Sequence, residues 1–164
     1  MTTLAMDPLT LGHVAITLIG ILSGLVVLVA MIGGQDRKGW TAIFLLFTVL
    51  TSATGYLLPP TVPPPTPAQI VGAISLVDLA IALYAIYGRK LIGAWRLVYV
   101  VTATISLYLN CFVLVVQSFL KVPSLHALAP TGAGPVFGAA QGVVLLAFIV
   151  AGWLAVKHYR PSIL

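Results

Sequence analysis

Charge is the scarcest property of this chain of 164 residues, which contains eight Lys and Arg residues and only three Asp and Glu residues. Soluble domains carry about 25% charged residues, whereas here they make up 7%, which is too few to cover a water-exposed surface. The single cysteine, Cys111, excludes an internal disulfide. The net charge of +5 therefore reports how the chain sits in a membrane, and it does not indicate a nucleic-acid partner.

What the chain has instead is a series of long apolar runs, and its charged residues fall between them. Hydrophobic residues make up 60% of the sequence, and the mean hydropathy is +1.13. A membrane-spanning helix needs about 20 mostly apolar residues. Five runs meet that need: Leu9–Ile32, Trp40–Leu58, Ala68–Tyr87, Ala94–Leu120 and Val136–Val156. The sequence predicts an all-α integral membrane protein, a five-transmembrane-helix bundle that forms one transmembrane domain over residues 1–164.

The positions of the basic residues predict the orientation of the chain. Lys and Arg concentrate in cytoplasmic loops close to the membrane. With the amino terminus outside and the carboxyl terminus in the cytoplasm, all of them except Lys121 lie on the cytoplasmic side, namely Arg37, Lys38, Arg89, Lys90, Arg96, Lys157 and Arg160. The reversed orientation leaves one inside. This compact layout with short loops is typical of a protein of the bacterial inner (cytoplasmic) membrane.

Two connections contain most of the prolines. The stretch Pro59–Pro67 holds six of them, so we expect it to be a non-helical bridge that spaces the second and third spans. The stretch Val122–Pro135 combines prolines with Leu125 and Leu128, which predicts a segment lying on or dipping into the membrane surface.

Small residues indicate where helices approach one another closely. Gly20-x-x-x-Gly24 in the first span and Gly138-x-x-x-Gly142 in the fifth have the spacing that permits backbone contact between membrane helices. Two interpretations remain open for both motifs: packing within the chain, and contact with a second subunit.

Polar residues at mid-span are the first candidates for a site. Asp78 lies about ten residues into the third span, where a charge costs at least about 2.5–3.5 kcal/mol, so we expect it to be protonated, hydrogen-bonded or facing water. Asn110 lies at the same depth in the fourth span, and Thr48 and Ser52 lie level with it in the second. We predict a polar cluster of these four residues, with Tyr108 as an additional member. It either pins helices together or carries a proton, ion or ligand.

A second candidate site lies nearer the outer face. Asn110, Gln117 and Lys121 share one stripe of the fourth span. Four other polar residues fall near the outer ends of spans or in the adjoining loop: His13, Gln69, Gln141 and His126. Together they predict an outward-opening pocket with apolar walls, the usual composition of a small-molecule site. The alternative is that the outer helix ends are simply wet, which we favour for His13.

Several chemistries find no support in the sequence. The three histidines are not placed for a haem held between two helices, and no Cys and His cluster has zinc spacing. There is neither a glycine-rich phosphate loop nor a Ser, His and carboxylate set at one depth. We therefore predict no metal site and no catalytic residues, and nothing in the sequence favours an enzymatic activity.

One block of the sequence resembles a known family. From Asn110 to Thr131 the chain reads N-x-F-V-L-V-V-Q-x-F-L-K-V-P-x-L-H-x-L-A-P-T, followed by Pro135, Phe137 and Gln141. This block, with Thr51–Gly55 and Gly93–Arg96, is similar to the pattern of a family of small bacterial multi-pass inner-membrane proteins. The resemblance implies no activity, because none is assigned to that family. It directs attention to Asn110, Gln117, Lys121 and His126.

These observations lead to a functional hypothesis and two alternatives. The hypothesis is a non-enzymatic accessory or scaffold subunit that binds a larger membrane complex, a lipid or a quinone-type molecule through its outer half, or that forms a homo-oligomer. The first alternative is a small proton- or ion-coupled transporter or channel that uses Asp78 and Asn110. The second is a membrane enzyme that uses His126 and Lys121 on a lipid-phase substrate.

Overall fold

The computed structural model describes residues 8–58 and 64–161, and every regular element in those ranges is a helix. A 3₁₀ turn over Gly55–Leu57 prolongs the second helix, and a π-helical turn over Tyr84–Gly88 prolongs the third. The α-helices are Pro8–Ile32 (α1), Lys38–Thr54 (α2), Pro67–Leu83 (α3), Trp95–Lys121 (α4), Pro123–Leu128 (α5) and Pro135–His158 (α6).

Five helices are long and apolar enough to cross a membrane, which confirms the five predicted segments as apolar helices. With their extensions they are Pro8–Ile32, Lys38–Leu57, Pro67–Gly88, Trp95–Lys121 and Pro135–His158. Each end lies within two residues of the predicted boundary. The charged and proline-rich connections therefore located the helix ends closely.

The start of α3 corrects one detail of the predicted proline bridge. Thr66 and Gln69 form a capping box: the Thr66 hydroxyl accepts from the Gln69 amide nitrogen at 3.2 Å, and the Gln69 side chain accepts from the Thr66 amide nitrogen at 2.8 Å. Pro67 is therefore the first residue of the helix, a position where its missing N–H costs nothing. Residues 59–63 of the predicted bridge lie outside the described residues.

The helix ends meet at two ends of the bundle. At one end, which we call the basic end, the Tyr159 hydroxyl lies 3.5 Å from Asp36, and Arg96 donates to the Tyr159 carbonyl at 2.8 Å. At the other, the proline-rich end, the Tyr56 hydroxyl donates to the Gln69 carbonyl at 2.7 Å. Successive long helices therefore run in opposite directions, and every Lys and Arg except Lys121 lies toward the basic end.

Helix α4 is the central element, because it contacts each of the other α-helices in the described part of the chain. Its buried residues line up with the interior faces of α1, α2 and α3. Toward the basic end these faces form an apolar core around Leu28, Phe44, Leu79 and Tyr99. Toward the middle of the bundle the buried residues become polar.

The two glycine motifs differ in what they contact. A Cβ atom on Gly24 would lie 2.6 Å from Leu107 Cδ1 and 2.7 Å from Phe44 Cδ2, so α1, α2 and α4 meet too closely there for any side chain. Gly20 faces the backbone of α2 at ordinary contact distance. A Cβ atom on Gly138 or Gly142 would instead meet no described atom within 4 Å. Packing within the chain thus explains the first motif, and it does not explain the second.

Helix α6 is the least covered of the five long helices. Only Gln141 and Ala155 are buried along its whole length, whereas α1 buries eight residues and α4 nine. The most exposed face carries Val143 and Leu146, which are 67% and 63% exposed. This helix therefore presents a long apolar surface to its surroundings.

Replacing Gly24 with Ala tests the close approach of α1. We expect a loss of roughly 1–3 kcal/mol in the free energy of unfolding, because the new methyl group overlaps Phe44 and Leu107. The matched control is Gly12→Ala in the same helix, where the new methyl group meets no described atom within 4 Å. Thermal unfolding in a mild detergent measures both variants, and equal effects would contradict the packing described here.

Candidate functional site

Buried polar side chains from three helices form a layer in the middle of the bundle, which we call the polar layer. Each helix contributes two residues spaced by three or four positions, so that both lie on one face. The members are Thr48 and Ser52 from α2, Ser75 and Asp78 from α3, and Ser106 and Asn110 from α4, all of them buried. In this layer the predicted residues Thr48, Ser52, Asp78 and Asn110 lie near one another.

The closest contact in the polar layer joins α3 to α4. The Ser106 hydroxyl donates to Asp78 Oδ2 at 2.6 Å, and both side chains are buried. Among residues 8–58 and 64–161, Asp78 is the only acidic residue within a long helix. A short hydrogen bond from a hydroxyl is the kind of partner that a carboxyl group needs away from water.

A second contact joins α4 to α2, one turn closer to the proline-rich end. The Asn110 side-chain amide donates to the Thr48 hydroxyl at 3.5 Å, which is the upper limit for a hydrogen bond. Ser52 is buried one turn farther along α2. The structure thus pairs Asp78 with Ser106 and Asn110 with Thr48, and α4 carries one member of each pair.

Two members of the polar layer were missed by the sequence interpretation, and one predicted member lies elsewhere. Ser106 lies one turn before Asn110, and Ser75 lies one turn before Asp78, so helical spacing was the signal that could have found them. The Ser75 hydroxyl is 2% exposed and has no hydrogen-bond partner among the described residues. Tyr108 instead packs against Phe148 of α6, with ring centroids 5.7 Å apart.

The residues predicted to line an outer pocket differ in burial and in their hydrogen-bond partners. Gln117 is half-buried, and Lys121 and His126 are exposed. His126 Nδ1 lies 3.3 Å from the Phe119 carbonyl, and the Gln141 side chain donates to the Phe112 carbonyl at 3.1 Å. Among the described residues no hydrogen bond joins any of these four side chains to another, and the outer pocket stays a prediction.

Gln141 nevertheless occupies an unusual position. It is one of the two buried residues of α6, and its side-chain oxygen is buried without a partner in the described part of the chain. Its amide nitrogen ties α6 to the backbone of α4 near the proline-rich end. Gln141 thus serves as a contact between two helices.

His13 is more firmly placed than a wet helix end requires. Its Nδ1 lies 2.8 Å from the Thr54 hydroxyl, which itself donates to the Leu50 carbonyl at 2.7 Å. That hydroxyl has only one proton to give, so the tautomer of His13 decides which of the two side chains donates. The contact ties α1 to α2 at the proline-rich end, where Lys121 is close enough for its charge to act on the ring.

At the basic end, Arg96 holds the last turn of α6. Its Nη1 atom donates to the Val156 carbonyl at 3.0 Å and to the Tyr159 carbonyl at 2.8 Å. A cation at the carboxyl end of a helix satisfies carbonyls that have no partner within the helix and interacts favourably with its dipole. Burial, together with the neighbouring Tyr99 and Asp36, raises the pKa of Tyr159, which keeps this phenol neutral.

An apolar groove runs between α4 and α6 on the outside of the bundle, and we call it the α4–α6 groove. Its volume is ≈ 330 Å³. Val101, Ile105 and Tyr108 line its α4 side, and Ile149 and Trp153 lie on its α6 side. It extends from the middle of the bundle to the basic end, so it lies away from the outer pocket that the sequence predicted.

Comparisons with known proteins identify no relative of this chain. No family model, no curated protein and no solved structure matches the chain. Within residues 8–58 and 64–161, no group of three or more His, Cys, Asp or Glu side chains is placed to hold a metal ion. The functional argument therefore depends on the polar layer, the uncovered surface of α6 and the α4–α6 groove.

Proposed function

We propose that the chain is an integral protein of the bacterial inner membrane, with five transmembrane helices, its amino terminus outside and its carboxyl terminus in the cytoplasm. Two features support this proposal. Large apolar side chains such as Leu22, Val29 and Val77 are more than 60% exposed on the outside of the bundle, where lipid would cover them. Seven of the eight Lys and Arg residues lie toward the basic end, as the positive-inside rule requires of the cytoplasmic face.

Within that membrane the protein acts as a non-enzymatic accessory subunit that docks on a partner through α6. The observation that carries this proposal is the uncovered surface of α6, where a Cβ atom on Gly138 or Gly142 would meet no described atom within 4 Å. In a membrane, apolar side chains gain little free energy by contacting each other, because lipid tails are equally apolar. Close packing over small residues is one of the main sources of attraction between membrane helices. A transmembrane helix of a partner subunit fits this glycine face.

The polar layer supports an accessory role. Its pairs Asp78 with Ser106 and Asn110 with Thr48 join neighbouring helices. Such interhelical hydrogen bonds average about 0.6 kcal/mol, which is enough to fix the relative rotation of helices that are otherwise apolar. In this role the layer holds α2, α3 and α4 in register while α6 is presented to the partner.

One observation favours a second candidate function, a small proton- or ion-coupled transporter that uses Asp78 and Asn110. The Ser75 hydroxyl is buried one turn from Asp78 and has no described partner, and an unpaired hydroxyl in that position can bind a proton carrier or a cation. Intramembrane carboxyl groups commonly mark such pathways. The two functions make opposite predictions for one substitution.

The orientation is tested by cysteine labelling on intact cells, in a background that carries Cys111→Ser. We expect a membrane-impermeant maleimide to label Lys121→Cys without permeabilisation, and to label Lys157→Cys only after the cells are opened. These two residues lie at opposite ends of the bundle, so each is the control for the other. The inverse pattern of labelling would reverse the orientation, and labelling of both in intact cells would contradict membrane insertion.

Docking through α6 is tested with Gly142→Leu, analysed by native gel electrophoresis and mass spectrometry after gentle extraction. We expect the wild-type protein to migrate with a second polypeptide and the variant to lose it, because the leucine fills the space that the partner helix occupies. Gly12→Leu is the matched control, since its position is equally open but lies on α1. A wild-type complex that contains only this chain, or an equal loss in both variants, contradicts the accessory role.

Asp78→Asn separates the two candidate functions. The asparagine keeps a side-chain oxygen that accepts from Ser106, so the helices stay joined, but it can no longer exchange a proton. For an accessory subunit we expect unchanged partner binding and no proton or sodium flux above that of empty vesicles, with or without the substitution. Flux through wild-type protein in proteoliposomes that disappears in the variant would establish the transporter instead.

A further inference from the structure

The α4–α6 groove has the shape of a site for one hydrocarbon chain. On α6 its floor follows Leu145, Ile149, Gly152 and Val156, which form a single stripe along the helix. Gly152 brings the two helices together, because a Cβ atom there would lie 3.2 Å from Thr104 Cγ2. The helices thus touch along the bottom of the groove and leave an elongated apolar space above it.

The length of the groove matches one leaflet of a membrane. Eleven residues separate Leu145 from Val156, which at about 1.5 Å per residue corresponds to roughly 16 Å. Half of the hydrocarbon thickness of a bilayer is about 15 Å. At its inner end the groove is closed by the Tyr108 and Phe148 rings, whose centroids are 5.7 Å apart. An acyl chain that enters from the membrane surface therefore ends near the middle of the bundle.

Two cations contact residues that line the groove at its basic end, and we call this region the charged mouth. Lys157 Nζ lies 5.2 Å from the centre of the Trp153 ring, and Trp153 lines the groove. Arg96 donates through Nη1 to the carbonyl of Val156, another lining residue, and its Nε and Nη2 atoms remain able to donate to a phosphate oxygen. The apolar wall and the charged mouth are thus continuous.

We propose that the α4–α6 groove binds an anionic phospholipid, with one acyl chain in the groove and the phosphate group against Arg96 and Lys157. A neutral isoprenoid or quinone would fill the same apolar space, but it would leave both cations without a counter-charge. The site therefore selects its occupant by charge as well as by shape. This inference rests on the proposed insertion into the membrane, and it does not depend on the orientation of the chain.

The test compares lipid binding to the full chain by native mass spectrometry in mild detergent, with phosphatidylglycerol and phosphatidylcholine as probes. Ile149→Trp fills the groove, whereas the matched control Val150→Trp places the same bulk on the neighbouring face of α6. Ile149 and Val150 are 57% and 56% exposed, so the two substitutions differ in direction alone. We expect wild-type protein and Val150→Trp to retain phosphatidylglycerol, and Ile149→Trp to lose it.

The charged mouth is tested separately with Lys157→Gln, which leaves the groove walls intact. We expect about fivefold weaker binding of phosphatidylglycerol and unchanged binding of phosphatidylcholine. Lys38→Gln is the control, because it also removes a positive charge from the basic end of the bundle, but from α2 and not from α6. Equal binding of the two lipids by wild-type protein, or equal losses in Ile149→Trp and Val150→Trp, would overturn the proposal.

Failure of the lipid site is distinguishable from failure of membrane insertion. Alkaline carbonate washing of membranes before extraction reports insertion alone. Protein that the wash releases overturns both proposals. Protein that stays in the membrane but binds no phosphatidylglycerol after extraction overturns the lipid site and leaves the proposed function standing.

Discussion

The missing side chain at Gly24 is the constraint on which the arrangement of the bundle depends. Without a side chain there, α1 approaches Phe44 of α2 and Leu107 of α4 so closely that not even a methyl group would fit between them. This contact fixes α4 in the centre, where its successive turns present Ser106 to α3 and Asn110 to α2. The polar layer is therefore a consequence of backbone packing, with its hydrogen bonds refining positions that the glycine has made possible.

Helix α6 is joined to the rest by a different kind of contact. Near the proline-rich end Gln141 donates to the backbone of α4, and at the basic end Arg96 holds the last carbonyls of α6. Between these attachments α6 packs on α4 at Gly152 and through the Tyr108 and Phe148 rings, and it also contacts α1. The same geometry leaves the groove beside this contact, and Gly138 and Gly142 continue the groove's stripe of α6 toward the proline-rich end.

The sequence predicted the helices well because charge and proline mark where a membrane helix ends. It predicted Asp78, Asn110, Thr48 and Ser52 as neighbours because depth along a span can be counted from those ends. Ser75 and Ser106 escaped notice, since serine is common in membrane helices and depth alone does not tell which face of a helix is buried. Tyr108 shows the same limit: its depth was right for the polar layer, but its side chain points toward α6.

The glycine contacts, the partner of His13 and the groove depend on which helices pack together, and the sequence of a single helix does not reveal its neighbours. The same four-residue glycine spacing leads to tight contact at Gly24 and to none at Gly142, because the motif describes one helix and says nothing about its neighbour. The partner of His13 was equally hidden, since Thr54 lies 41 positions away. The α4–α6 groove has no sequence signature, because it is a space that the side chains of two helices leave unfilled, and only the packed structure shows that space.

The attachment of α6 at its two ends also determines how the protein comes apart. Local openings in a folded protein begin where few buried contacts must be broken, and α6 buries two residues where α1 buries eight. Among the long helices described, α6 is therefore the one whose local opening exposes the fewest buried residues. A lipid bound in the proposed site would contact α4 and α6 at once, so occupancy of the groove would oppose the separation of the last helix from the bundle.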